Sequence, residues 1–326
     1  PPHQSSAASD VYKRQLFYIK QTGDSGFLNG KNIFIQGSPV LEHLNGILIG
    51  RLSGIVAHHV PKYLQSRNLP SMKTNSIDDW ESKIDAICEE THEKDLRVIG
   101  GIPSWVQMYL ERLLHNQKEK KIINLFKNLS LFVYGGVNFE PYKRIFLKLI
   151  GKKINTIEYY PASEGFFAYQ NDQNDPTLLL QYNSEIFYEF VEVDQIEKKQ
   201  SNRLNLSQVN LNKNYVMIIS TNAGLWAYNT GDTVMFKSIN PPKIIVTGRY
   251  KHYISAFGEH VISSEVEQSI KCAIAKTKLL VKEFTVAPMI NVSKPDLPHH
   301  EWWIEFDKDT GCLLYTSPSP RDMWTS

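Results

Sequence analysis

Between residues 32 and 160 the sequence repeats one unit: a short apolar run, a segment with helical spacing, then another apolar run. The runs are "NIFIQ" (32–36), "LRVI" (96–99), "LFVYGG" (131–136) and "INTIEYY" (154–160). Before the second run, Ile77, Trp80, Ile84, Ile87 and Cys88 fall on one helical face, with Ser76 placed to cap it. From Pro103 a second helix carries Val106, Tyr109, Leu110, Leu113 and Leu114, the proline being tolerated at the first position. A third holds Tyr142, Ile145, Phe146 and Leu149 and stops at Gly151. Strands joined through helices lie side by side in parallel, so the expectation is an α/β protein with a mainly parallel sheet covered by helices.

The pattern changes after residue 180. "IFYEFVEV", "YVMIIST", "TVMFKS" and "KIIVTG" are strands separated by turns, which predicts an antiparallel, barrel-like subdomain. The polar stretch 198–213 reads as a loop. From about residue 252 a third pattern begins, with a helix bearing Val266, Ile270 and Ala273, then "FTVAP" and "WWIEF". It predicts a small α+β unit.

The ends read differently. "DVYKRQ" (10–15) and "CLLYTS" (312–317) can be encoded by stretches that are reverse complements over roughly 17 nucleotides, as transposon ends in sequencing libraries are. Residues 1–15 and 312–326 are therefore read as adapter sequence. The expected division is a large domain over 16–250 that lacks its N-terminal part, and a truncated C-terminal unit over 251–311.

The formal charge is +2. Lys13, Arg14 and Asp10 account for a net +1 and the last fifteen residues for zero, leaving +1 for 16–311. That gives no electrostatic footprint for nucleic acid or an anionic membrane. No apolar run approaches the ~18 residues of a membrane-spanning helix. Within 16–311 only Cys88 and Cys272 remain, far apart, so no disulfide framework is expected and a reducing, cytoplasmic setting is. The sequence leaves oligomeric state open.

Ligands of α/β sheets collect at the C-terminal ends of strands. Two strand ends stand out there. Gly135–Gly136 offers bare backbone for close approach, or simply a glycine turn. "YPASEG" (160–165) ends an aromatic strand at a proline and presents one acid, Glu164. Further on, "YNTGDTV" (228–234) carries Asp232, either an ordinary turn residue or an acceptor for a ribose diol. Arg249 and Lys251 follow in "GRYK" and Glu259 in "FGE" (257–259).

In this order the four motifs resemble the adenylate-forming enzymes, and most closely the auxin-responsive promoter family of acyl acid–amido synthetases in its bacterial branch. "GGIPSWVQMYLERL" (100–113) and "SEGFFAYQND" (163–172) support the likeness, which covers nearly all of 16–311. The resemblance implies an adenylate-forming fold closed by a C-terminal lid. It also implies a ligase that uses ATP and Mg²⁺ to activate a carboxylic acid as its acyl-adenylate, then passes the acyl group to an amine such as an amino acid. Glu164 would hold Mg²⁺ on the phosphates and Ser163 would contact a phosphate oxygen. Tyr160 would wall the adenine beside Gly135 and Gly136. Asp232 would hold the ribose hydroxyls, Arg249 ribose or phosphate, and Lys251 would mark the hinge to the lid. The Ser/Thr/Gly-rich phosphate loop that such enzymes carry upstream of Gly135 does not occur in 16–311. The stretch by itself is therefore expected to be poorly active.

Three rival readings compete. An acyl–coenzyme A ligase shares the chemistry with a thiol as acceptor. A nucleotide-binding relic would share only the fold. A glycosidase pairing Glu158 with Glu164 is disfavoured, because Glu158 shares a strand face with Tyr160 and lies well before the turn. There is no G-x-S-x-G or H-E-x-x-H motif. His58–His59 and His299–His300 lack metal-ligand spacing and read as surface or loop residues.

Overall fold

The computed structural model describes residues 18–50, 52–60, 65–196, 198, 201–250, 263–277, 279–289 and 299–307. The two stretches read as adapter sequence lie outside the described residues, as do Lys251 and the "FGE" at 257–259.

The β-branched and aromatic runs form strands where expected. β1 is Lys31–Ile35, and a small exposed hairpin follows from β2 (Glu42–Leu44) and β3 (Ile47–Ile49). Then come β4 (Asn68–Leu69), β5 (Leu96–Gly101), β6 (Leu131–Tyr134) and β7 (Asn155–Ala162). After them lie β8 (Gly165–Asp172), β9 (Asp175–Leu180), β10 (Ile186–Glu192), β11 (Asn214–Thr221), β12 (Tyr228–Ile239) and β13 (Pro242–Arg249).

All of these except the hairpin belong to one eleven-stranded sheet, ordered β10-β11-β12-β13-β9-β8-β7-β6-β5-β1-β4. This corrects the expectation of a mainly parallel sheet with a separate barrel-like subdomain. Four pairings are parallel, from β4 through to β7, and six are antiparallel, from β7 through to β10. The fold is mixed α/β. β7 is the join: it runs parallel to β6 on one side and antiparallel to β8 on the other.

The helices cover the parallel half. α1 (Trp80–Thr91) buries Ile84, Ile87 and Cys88, and α2 (Pro103–Gln117) buries Val106, Tyr109, Leu110, Leu113 and Leu114. Pro103 stands at the start of α2, as expected. The cap of α1 is Asp79, not Ser76: the Asp79 carboxylate accepts from the Ser82 backbone N–H at 2.8 Å. Ser76 instead closes the short helix Met72–Asn75, its hydroxyl donating to the Met72 carbonyl. α3 (Lys143–Ile150) ends at Gly151, whose φ of +87° is the left-handed conformation of a C-cap.

These helices and one sheet face share a core that includes Ile33, Ile99, Tyr109, Phe132 and Phe146. Tyr18, Phe27, Val98, Leu131 and Ile157 pack separately on the parallel half. The antiparallel half has its own core around Phe167, Phe190, Tyr215 and Phe236, all with no exposed surface. Each such side chain contributes about 1.5–3 kcal/mol by leaving water.

The third sequence pattern forms its own unit. α4 (Ser263–Thr277) packs Ile270 and Ile274 against an antiparallel pair, β14 (Val281–Met289) and β15 (His299–Phe306). His299–His300 therefore opens a strand rather than lying in a loop. Among the described residues no helix is long and apolar enough to cross a membrane.

Candidate functional site

β7 does not stop at its proline. It continues through Pro161 to Ala162, with an irregular register between Tyr160 and Pro161. An irregular step is where a strand tolerates a residue without an N–H. Ala162 then pairs with Gly165 across a two-residue hairpin turn, Ser163–Glu164. The acid thus stands at the tip of a tight turn where the sheet changes from parallel to antiparallel. Ser163 beside it is exposed.

Gly135 lies alongside the same strand end. A Cβ there would come within 2.5 Å of the Tyr159 carbonyl oxygen, so contact with the neighbouring strand alone requires glycine. Gly136, at φ +87°, turns the chain out of the sheet.

Asp232 and Arg249 are directly opposite one another in the β12–β13 ladder. Their separation of seventeen residues becomes a cross-strand ion pair, Arg249 Nε to Asp232 Oδ1 at 2.7 Å. Gly231 precedes the acid with φ +79° and open space where a side chain would lie. Glycine is needed there for backbone conformation, not for room.

Two tyrosines complete the group. The Tyr160 hydroxyl donates to Asp232 Oδ2 at 2.5 Å, and the Tyr228 hydroxyl donates to Glu164 Oε1 at 3.0 Å. Tyr160 is only 8% exposed, and its ring meets Phe167 edge-on at 5.1 Å. Burial, then the charge on Asp232, pushes its phenol well above the usual tyrosine range. The hydrogen bond to Glu164 raises the Tyr228 phenol. The hydrogen bond to Asp232 raises the Arg249 guanidinium, keeping it charged. The fold thus gathers Gly135, Tyr160, Ser163, Glu164, Asp232 and Arg249 from two distant stretches of sequence. Lys251 falls outside the described residues.

Sequence reasoning gave Tyr228 no role of its own. The available signal was spacing: "YPASE" and "YNTGD" each place an acid four residues after a tyrosine. A shallow groove lined by Tyr182, Ile186, Phe187 and Trp226 also escaped it. It opens beside the turn, since a Cβ on Gly165 would touch Ile186 at 2.9 Å.

Among the described residues no three His, Cys, Asp or Glu side chains group to hold a metal ion. A lone carboxylate on an exposed turn does fit Mg²⁺, which takes one or two protein carboxylates and fills its remaining positions with water and phosphate oxygens.

A helix-covered mixed sheet carrying a carboxylate turn at its parallel-to-antiparallel join is followed by a small α+β unit. Residues 179–249, from the end of β9 to the end of β13, match the GH3 family central domain. Around that segment the chain has the fold of the acyl acid amido synthetases. The solved structure of "GH3.15 acyl acid amido synthetase" superposes with a TM-score of 0.72 at 13% identity, over 96% of this chain and 65% of that one. That of "AtGH3.15 acyl acid amido synthetase in complex with 2,4-DB" gives 0.71 at 14% identity, over 98% and 64%. This chain thus spans less than two thirds of the length of these proteins. No curated protein sequence matches it.

Proposed function

We propose that the protein is an ATP-dependent acyl acid–amido synthetase. The observation that supports this best is the meeting of Glu164, Tyr160, Asp232 and Arg249 at one end of the sheet, in a chain with the fold of such enzymes.

Asp232 suits a ribose diol. Tyr160 and Arg249 take one acceptor position on each of its oxygens, and a carboxylate oxygen offers two. One position per oxygen is left for a pair of hydroxyls. Arg249, always charged and more than half exposed, would reach ribose or phosphate. Ser163 would contact a phosphate oxygen from the turn, and Gly135, Gly136 and Tyr160 would flank the adenine. Glu164 would hold Mg²⁺, which when bound supplies charge neutralisation on the phosphates.

In the first half-reaction an oxygen of the substrate carboxylate bonds to the α-phosphorus of ATP, and the bond to the pyrophosphate oxygen breaks. In the second the acceptor amine attacks the acyl carbon, AMP leaves, and the amine proton passes to base. The α4–β15 unit is the proposed lid over this site, with Lys251 at the hinge and the division between the two parts near residue 250. The partners are a carboxylic acid and an amine, with no role for nucleic acid or membrane.

ATP–pyrophosphate exchange against a panel of carboxylic acids tests this, with the product of the complete gene assayed beside this chain. Acid-dependent exchange is expected, followed by an amide with an amino acid and no thioester with coenzyme A. Nucleotide binding without exchange for any acid would leave a binding protein. Glu164→Ala should depress exchange while sparing amide formation from a supplied acyl-adenylate. Equal loss in both steps would make Glu164 structural.

A further inference from the structure

The two short stretches that build the site have the same design. Tyr160 precedes Glu164 by four residues, and Tyr228 precedes Asp232 by four. In the fold they exchange partners. The tyrosine of the first stretch bonds to the acid of the second, and the tyrosine of the second to the acid of the first. We propose that Tyr160 and Tyr228 are positioning residues, a reciprocal brace that ties the Ser163–Glu164 turn to β12 and fixes the two carboxylates facing the nucleotide.

The physical case is one of freedom. A half-buried glutamate at the tip of a two-residue turn has three rotatable side-chain bonds to be fixed. The Tyr228 hydroxyl removes that freedom by fixing Oε1 while leaving Oε2 unengaged by it. Asp232 is held more firmly, between Arg249 and a tyrosine whose ring is anchored in the core against Phe167. Hydrogen bonds to an ionised acceptor are the stronger kind. Because the bonds run in opposite directions between the same two segments, each also limits sliding of the turn along β12. The buried arm, Tyr160, should matter more than Tyr228, which is 39% exposed.

The carboxylate roles rest on the proposed function, so the test has two arms. The first uses the nucleotide-free chain and reads amide hydrogen exchange at residues 163–165. Tyr228→Phe should speed it about threefold or more, Glu164→Ala should do the same, and the double variant should add nothing further. The second arm titrates ATP and Mg²⁺ into the product of the complete gene by calorimetry. Tyr160→Phe should weaken ATP binding about tenfold, and not at all in an Asp232→Ala background. Tyr228→Phe should chiefly raise the Mg²⁺ needed for half-saturation, about threefold to tenfold. Unchanged turn exchange, or additive effects in both double variants, would overturn the brace. Partner-specific coupling in the first arm with no nucleotide binding by the unsubstituted protein would keep the brace and overturn the proposed function.

Discussion

Glu158 and Glu164 stand six residues apart and meet opposite environments. Glu158 lies on the part of β7 that pairs with β6, opposite Tyr134, and its carboxylate accepts from the Tyr134 hydroxyl at 3.2 Å. Burial pushes its carboxyl up to about 7, with Tyr134 opposing the rise and Glu267 of α4 adding to it. Glu164 lies past the join, on the turn into β8, where Tyr228 reaches it. A strongly shifted carboxyl is often a sign of a catalytic group. Here the shifted one faces the packed parallel half and the α4 helix, while the candidate site gathers around the other. Which side of the join an acid occupies decides its surroundings.

The largest effect expected from breaking this contrast is on nucleotide affinity. Asp232→Ala should weaken ATP binding by roughly 2–3 kcal/mol, through the loss of charge-assisted hydrogen bonds. Glu158→Gln should leave it within about twofold, a difference under 0.5 kcal/mol. Calorimetric titration of both variants checks this. A comparable loss in Glu158→Gln would place the buried acid in the site after all.

The next effect is on stability against pH. In the folded protein Glu158 keeps its proton up to about pH 7, while in the unfolded chain a glutamate releases it near 4.5. Between those values the unfolded state binds fewer protons, so this group's contribution to stability falls as pH rises and levels off above 7. The charges of Glu140, Lys143 and Glu267 act on it. Glu158→Gln removes the loss. It should stabilise the protein by on the order of 2 kcal/mol at pH 8 and by almost nothing near pH 4.5. Urea midpoints at the two pH values measure it, and an equal shift at both would refute the assignment.

The smallest effect sharpens the same contrast. Tyr134→Phe removes the donor that steadies ionised Glu158, and should cost about 0.5–1.5 kcal/mol at pH 8 and less at pH 5.

The helices were legible because their apolar residues recur at helical spacing against one core. α2 begins at the proline that announces it, and α3 ends at its glycine. The α1 cap was misplaced because two serines and two aspartates precede Trp80, and only the fold shows which one reaches a free N–H. β8 was not read as a strand because Phe167, Ala168 and Tyr169 are buried in succession. Both faces are covered there, which erases the alternation that marks a half-exposed strand. The single antiparallel run through β7 was hidden for a related reason: pairing of β9 with β13 joins residues more than sixty apart. The motifs themselves were legible as an ordered set. Their exchange of tyrosines was not, since Tyr160 and Asp232 become neighbours only once five strands are in register.

The α4–β15 unit has an apolar cluster of its own, around Ile270, Ile274 and Val281. It meets the main sheet's helices largely through polar groups from one stretch, residues 138–148. Asn138 bonds to Glu267, Tyr142 to Glu283, Arg144 to the Ile274 carbonyl and Lys148 to Asp307. Water can replace every one of those bonds at little net cost, whereas it cannot replace a shared apolar core. Ionic strength and pH therefore bear on this seat more than on the unit's own apolar core.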